Sequence, residues 1–448
     1  MAMEILAWVH LARRPLSVTE LAHAVAIEIG SDEFDPEDLP PRDFTSSCLG
    51  LIRVSQDAHI VTLVHKSLGD YFGSRKTLQR FHRELSQKCL TCLRFPSAAN
   101  KTTENLKDVK RSIGYGQWSE YHAINRRENH PFLTYASTSW GLHLRMVDFI
   151  DRETMELAMD YVFLSDESLL ASVFEFALSF CHRLPDHSWP TISLGCPRCR
   201  LITEFKPWKN PRPHILAFFG LCDVWSEAQE KADDGREWPE AVDGAGYSPL
   251  FYAALGGHVE MVELLLAKHH VNVDFGGING MTPLIAASMA GQIDTVVTLA
   301  RLGADLNAQT DLISPSRTPL TALTASLRCY ELDVLIFLLE QPTLKVNQTC
   351  QYREQDWTAL GLAAKTGREA AVELLLRHPH IMINSQRTPG RDFVSPLAAA
   401  IERGNTLVVS ALLATTAPTS TVSASSQLST QEWMSSSRTY LRRSRHLR

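Results

Sequence analysis

Along the second half of the chain one arrangement of apolar and polar positions returns five times. A Ser or Thr precedes Pro or Ala and then Leu at Ser248-Pro249-Leu250, Thr282-Pro283-Leu284, Thr321-Ala322-Leu323, Thr358-Ala359-Leu360 and Ser395-Pro396-Leu397. The middle residues lie 34, 39, 37 and 37 apart. Eight residues on stand Gly257, Gly291, Tyr330, Gly367 and Gly404; thirteen on, Val262, Val296, Leu335, Val372 and Val409; sixteen on, Leu265, Leu299, Leu338, Leu375 and Leu412. An Asn closes each of the first four units: Asn272, Asn307, Asn347 and Asn384.

Each position has a physical reason. The Ser or Thr caps a helix, and Pro fits the first turn because its missing N–H costs nothing there. Small pairs such as Ala253-Ala254, Ala287-Ser288 and Ala363-Ala364 let helices approach. The Gly ends the first helix in a left-handed turn. The apolar residues at thirteen and sixteen share one face of a second helix. One unit cannot bury that face alone, so units must stack. The pattern resembles ankyrin repeats, a hairpin followed by two antiparallel helices, over about 243–416. Unit three departs with Tyr330 and an insertion around 313–318, and the last unit lacks the Asn. A decayed sixth unit precedes them, with Ala217 and Gly220 in phase on an anchor at Arg212 and a polar second helix from Asp223 to Lys231.

The first 75 residues follow another pattern. A short apolar helix is expected over 5–12, broken at Arg13-Arg14-Pro15. Ser17-Val18-Thr19-Glu20 is a capping box opening a helix to about Ile29. After an acidic, Pro-rich loop a third short helix is expected over 42–49. Apolar runs at 51–54 and 60–64 then predict a β-hairpin. Three helices and a hairpin have the order of a winged helix. The helix that would enter the major groove holds one Arg, one Asp and no Lys, which argues against DNA binding.

Two runs, Ala7-Trp8-Val9 through Glu20-Leu21 and Val64-His65-Lys66-Ser67-Leu68-Gly69-Asp70-Tyr71-Phe72, resemble the winged-helix segment of fungal NACHT-ankyrin proteins, which are STAND-type, NLR-like signalling NTPases. The stretch from Leu133-Thr134-Tyr135-Ala136 to Trp140 and His143 is similar to the linker region of the same family. The resemblance implies that a nucleotide-binding module belongs upstream and that His65, if it kept the family's role, would sense nucleotide. The bland reading of His65 is a hairpin-to-helix junction. No Gly-x-x-x-x-Gly-Lys-Ser/Thr string occurs, so this chain lacks the phosphate cradle the sensing role needs.

Between these parts, 76–207 reads as a helical linker, with a helix opening after Pro131 and another over 153–180. Cys196-Pro197-Arg198-Cys199 has the spacing of a zinc knuckle but no second pair 15–20 residues away, so no metal is expected. No hydrolase elbow, metalloprotease or kinase motif is present, and neither enzyme activity nor a cofactor is expected. The end, 417–448, is rich in Ser and Thr and closes on five Arg; it reads as a solvated tail, with import or weak anion binding as the alternatives.

Composition narrows the function. The chain has 448 residues, 44% hydrophobic and 21% charged, as ordinary folded protein does. A net charge of −6 argues against a protein that grips nucleic acid by charge. Nine cysteines form no disulfide framework and fit a reducing compartment, the cytoplasm or the nucleus. Neither a signal peptide nor an apolar run of membrane-spanning length is evident, and no membrane partner is expected.

The expected architecture is mainly α: a winged helix over 1–75, a helical linker over 76–207, ankyrin repeats over 208–416 and the tail. The expected function is non-catalytic binding of a protein partner, with no small-molecule substrate, as the sensor half of an NLR-like system. The rivals are a fragment or regulatory subunit of a NACHT NTPase and a winged-helix DNA-binding regulator. The partner surface is expected on the concave side, at hairpin tips and first-helix ends. This selects Tyr247, Leu255, Ile278, Met281 and Met289 as an apolar patch, followed by Arg317, Arg328, Trp357, Lys365, Arg391 and Arg403. Tyr247 and Trp357 have packing on the neighbouring hairpin as their alternative.

Overall fold

The computed structural model describes residues 1–41, 43–55, 59–75, 78–95, 130–164, 211–243, 246–277, 280–310, 320–327, 332–352, 355–383, 392–393 and 395–416. Most of them are helical. They form two compact units, Met1–Ala253 and Ala254–Arg448.

The first unit opens with helix α1 (Ala2–Leu11), which buries Ile5, Leu6, Ala7, Trp8 and Leu11. Strand β1 (Leu16–Ser17) leads into α2 (Val18–Ala26) through the expected capping box. The Glu20 N–H donates to Ser17 Oγ at 3.1 Å, and the Ser17 N–H donates to Glu20 Oε2 at 2.8 Å. Arg14 binds the same carboxylate. Helix α2 stops three residues before Ile29, because Ile27 turns extended.

The hairpin is β2 (Ile52–Val54) with β3 (Ile60–Leu63), and β1 adds to it in the order β1-β3-β2, all antiparallel. Leu16 and Val54 both pair with Val61. Before the hairpin, the expected helix over 42–49 is only a 3-10 segment, Phe44–Cys48. It has no side-chain cap, Ser47 Oγ donates back to the Phe44 carbonyl at 2.7 Å, and Leu49 turns left-handed. Local side-chain bonds of this kind compete with a regular helix.

Helix α3 (Lys66–Arg75) follows, then α4 (Phe81–Arg94), α5 (Leu133–Leu144) and α6 (Arg152–Val162). Lys88 on α4 is buried and donates to Glu4 Oε1 at 2.6 Å and to the Val25 carbonyl at 2.9 Å, which ties α4 to α1 and α2. The decayed repeat is a true helix pair, α7 (Arg212–Phe219) and α8 (Cys222–Lys231), joined by Gly220 at φ 68°. Its second helix is less polar in effect than in composition, because it buries Val224, Trp225 and Ala228. Helix α5 meets α7 at Gly141, where an added Cβ would lie 2.3 Å from the Phe219 ring.

Helix α9 (Pro249–Gly256) begins the first clear repeat. In the second unit its partner α10 (Val259–Glu263) runs on into a π turn, Leu264–Lys268. The later pairs are α11 (Pro283–Ala290) and α12 (Ile293–Arg301), α13 (Ala322–Ser326) and α14 (Asp333–Leu339), α15 (Ala359–Thr366) and α16 (Glu369–Arg377), and α17 (Pro396–Arg403) and α18 (Thr406–Thr416). Thr282, Thr321, Thr358 and Ser395 cap first helices as expected. Gly291, Gly367 and Gly404 end them at φ 70–75°. The positions sixteen after each anchor, Leu265, Leu299, Leu338, Leu375 and Leu412, are all at most 1% exposed.

Two fingers meet in a small sheet. Strand β4 (Cys350–Tyr352) pairs antiparallel with β5 (Gln355–Trp357), and β6 (Asp392–Phe393) joins β5 in parallel. The loop Asn residues stitch repeats together. Asn307 accepts the Lys345 N–H at 2.7 Å and donates to the Thr343 carbonyl at 2.9 Å. Asn347 accepts the Met382 N–H at 2.8 Å and donates to the His380 carbonyl at 2.7 Å. In the first clear repeat this position belongs to Asp274, not to Asn272.

Candidate interaction surface

In four of the repeats the residue just before the helix cap points inward. Tyr247 is 3% exposed, with its ring stacked on Phe251 at 4.2 Å between centroids. Its N–H donates to Asp243 Oδ1 at 2.8 Å, and its carbonyl lies 3.1 Å from His214 Nε2. Trp357 is 1% exposed and packs with Cys350 and Ala399. Met281 and Leu320 hold the same position and are buried too. An apolar residue ahead of a cap packs against the first helical turn, as a staple that fixes the entry of the chain. The Gly361 backbone lies so close beneath Trp357 that an added Cβ would sit 3.3 Å from the ring.

This corrects the expected apolar patch. Tyr247, Met281 and Trp357 belong to the core of their repeats, and Leu255 and Met289 are buried near the ends of their first helices. The sequence carries the signal for this: the position before the cap is apolar in every unit, as Tyr247, Met281, Leu320, Trp357 and Val394. A position that recurs with one chemical character serves stacking. Lys365 is half-buried with its Nζ 4.4 Å from the Trp357 ring centroid, a cation over an aromatic face. Arg403 is exposed beside Glu402. Ile278, Arg317, Arg328 and Arg391 lie outside the described residues, as do Tyr330, Asn384, Cys196, Cys199 and the tail.

The solvent side of the second unit carries other side chains. Phe275 at a finger is 38% exposed, and Val297 and Ile336, equivalent positions of adjacent second helices, are 39% and 38% exposed. Glu263 and Arg301 form a surface ion pair at 2.6 Å. Fourteen residues after each anchor stand Glu263, Val297, Ile336, Glu373 and Ser410, so this position changes chemistry along the repeats, unlike the buried ones.

In the winged helix, the described residues 43–49 of the expected groove-entering segment include no cation. Leu49, beside the 3-10 segment Phe44–Cys48, is almost fully exposed. His65 takes the junction role: its Nδ1 accepts the Ser67 N–H at 3.2 Å at the start of α3.

With this geometry in view, comparison with known proteins gives two family matches. Residues 216–310 match the ankyrin repeats family, and residues 1–81 match the family described as "GPI inositol-deacylase, winged helix domain". The chain carries ankyrin repeats and a winged helix of the GPI inositol-deacylase type.

Among curated proteins, the chain is similar to the ankyrin repeat and KH domain-containing protein mask-1 of Caenorhabditis elegans, 34% identical over 36% of this chain and 6% of that protein. Ankyrin repeat and SAM domain-containing protein 6 of Mus musculus is 35% identical over 17% of the chain and 9% of its own length. The chain thus spans under a tenth of either relative. Among solved structures, the ankyrin repeat domain of human ASB11 aligns with 20% identity and a TM-score of 0.37, over 48% of this chain and 87% of that one. Ankyrin repeats generally mediate protein–protein interaction.

Proposed function

We propose that the chain is a non-catalytic interaction protein: its repeats hold a protein partner, and its winged helix links that recognition to an NTPase switch of the NACHT type. The observation that supports this is the division of labour within the repeats. The recurring apolar positions are consumed by stacking, while the exposed Phe275, Val297 and Arg403 and the half-buried Lys365 sit at positions that vary from unit to unit and can specify a partner. The winged helix belongs to a domain type associated with NACHT proteins, which favours the regulatory reading over an isolated adaptor. A fragment of a NACHT NTPase is the second form of the same proposal, and it rests on the same match. A cytoplasmic location, with the nucleus as the alternative, goes with both, because the buried Cys48, Cys89 and Cys92 are free thiols.

The experiment is proximity labelling and affinity capture with the full chain, comparing wild type with Lys365→Glu/Arg403→Glu and with Phe275→Ala. Loss of one reproducible protein from a folded variant, with the winged helix unchanged, is the expected result. Unaltered recovery by every variant overturns the assignment of the partner to this surface. Purified chain is expected to show no saturable ATP turnover, and measured turnover overturns the non-catalytic reading.

A further inference from the structure

Helix α5 is gripped on two sides. On one side Trp140 meets Phe219 of α7 and Tyr161 of α6 edge-on, at 5.1 and 5.0 Å between centroids, and Gly141 leaves no room beneath Phe219. On the other, α5 turns two polar rings into the first unit's core. His143 is fully buried and its Nδ1 lies 2.9 Å from Nδ1 of His82 on α4, itself 4% exposed. Tyr135 Oη lies 2.7 Å from His143 Nε2 and accepts the backbone N–H of Arg13 at 3.2 Å. The Arg13 side chain donates to the Leu142 carbonyl at 3.2 Å. Trp8 of α1 closes the site, edge-on to Tyr135 and to His143.

The two Nδ1 atoms face each other directly, so the bond between them holds one proton. With both rings neutral, one donates and the other accepts. With both charged, N–H faces N–H and the bond is gone. We propose that the His82–His143 pair is a proton-sensitive latch that seats α5 against α4 and the turn after α1, and that proton uptake releases α5 together with its hold on Phe219 of the first, degenerate repeat.

The surrounding charges support this direction. From the turn after α1, Arg13 acts on both rings, and His10 at the end of α1 acts on His82. Arg14 lies over the Tyr135 ring and is bound to Glu20. Glu4 of α1 is engaged by Lys88 of α4. Arg83 of α4 pairs with Asp151 at the start of α6, 3.0 Å away. Glu84 on α4 has its own acidity lowered by burial and by Glu4, and the buried thiols of Cys89 and Cys92 on the same helix stay protonated. Burial, then Arg13 and His10, pushes His82 down to about 4. Burial, His82 and Arg13 push His143 well below its ordinary value. Both folded values lie under the unfolded 6.5, so the pair's contribution is complete above 6.5 and is lost as pH falls toward the folded values.

The test uses the full chain. Histidine-selective ¹⁵N NMR at pH 7 is expected to show two neutral buried rings, one carrying its proton on Nδ1 and the other on Nε2. A charged ring, or no Nδ1–H, overturns the proposal. Hydrogen exchange followed down from pH 7, corrected for intrinsic rates, is expected to expose peptide 133–144 before peptide 52–63. In His82→Gln/His143→Gln that early step should move down by about one pH unit or vanish. Simultaneous loss of both peptides in the wild type, or an unshifted step in the variant, overturns the latch. If the variant fails to fold, the NMR spectrum and the order of exposure in the wild type decide.

Discussion

The backbone N–H of Asp305 donates to both carboxylate oxygens of Asp274, at 3.0 and 3.2 Å. Two repeats are joined there by half of the contact that Asn makes elsewhere. Asn307 and Asn347 each accept an N–H and also donate to a carbonyl two residues upstream of it. A carboxylate only accepts, so the equivalent Gly303 carbonyl receives no such bond from Asp274.

Asp274→Asn should therefore stabilise the repeats. One added hydrogen bond contributes about 0.5–1.5 kcal/mol net. Burial, with Asp305 adding to it, raises the pKa of Asp274 above the usual carboxylate value. A raised folded pKa favours the protonated form, so the wild-type contribution is present at low pH and is lost as pH rises through the folded value. The gain from Asn should be largest at pH 7 and shrink as pH falls through the raised folded value, as read from melting curves at neutral and acid pH. A variant that melts lower at pH 7 contradicts this account.

Leu265→Ala tests the stacking register. Leu265 is fully buried on the face of α10's continuation that repeats through Leu299, Leu338, Leu375 and Leu412. Truncating such a side chain costs about 2–5 kcal/mol. Urea unfolding followed by circular dichroism should show the midpoint falling by a corresponding amount; an unchanged midpoint would place Leu265 outside the core.

Lys88 and Glu4 form a largely buried pair between α4 and α1. Removing one partner of such a pair costs about 3–5 kcal/mol, whereas replacing both by apolar residues is close to neutral. Lys88→Met should destabilise the first unit strongly, and Lys88→Met/Glu4→Leu should recover most of the loss. A double variant no more stable than the single one would show that the Lys88 bond to the Val25 carbonyl carries the effect instead.

Cys89 and Cys92 share α4 and are buried. Burial raises both thiols, Cys92 to about 12, so neither is a thiolate at neutral pH. Native protein at pH 8 should leave them unmodified by iodoacetamide, and urea should open both. Peptide mass spectrometry reads the labelling, and modification of Cys89 in the native protein contradicts this.

What the sequence determined by itself is local and periodic. The caps at Thr282, Thr358 and Ser395, the left-handed Gly291 and Gly367, and the buried Leu row depend on residues a few positions apart, so spacing alone reveals them. The capping box of Ser17 and Glu20 is legible for the same reason. The inward staples at Tyr247 and Trp357 were written as a recurring apolar position, but only the packed helix turn shows that the side chains turn in rather than out. Other features join residues far apart in the chain. Lys88 meets Glu4 across 84 residues, His82 meets His143 across 61, and the Asp305 N–H finds Asp274 rather than Asn272 across 31. No spacing rule foretells these contacts, because a buried polar group takes whatever partner the completed packing brings within 3 Å. The tertiary structure chose those partners, once the apolar faces had fixed where each helix could lie.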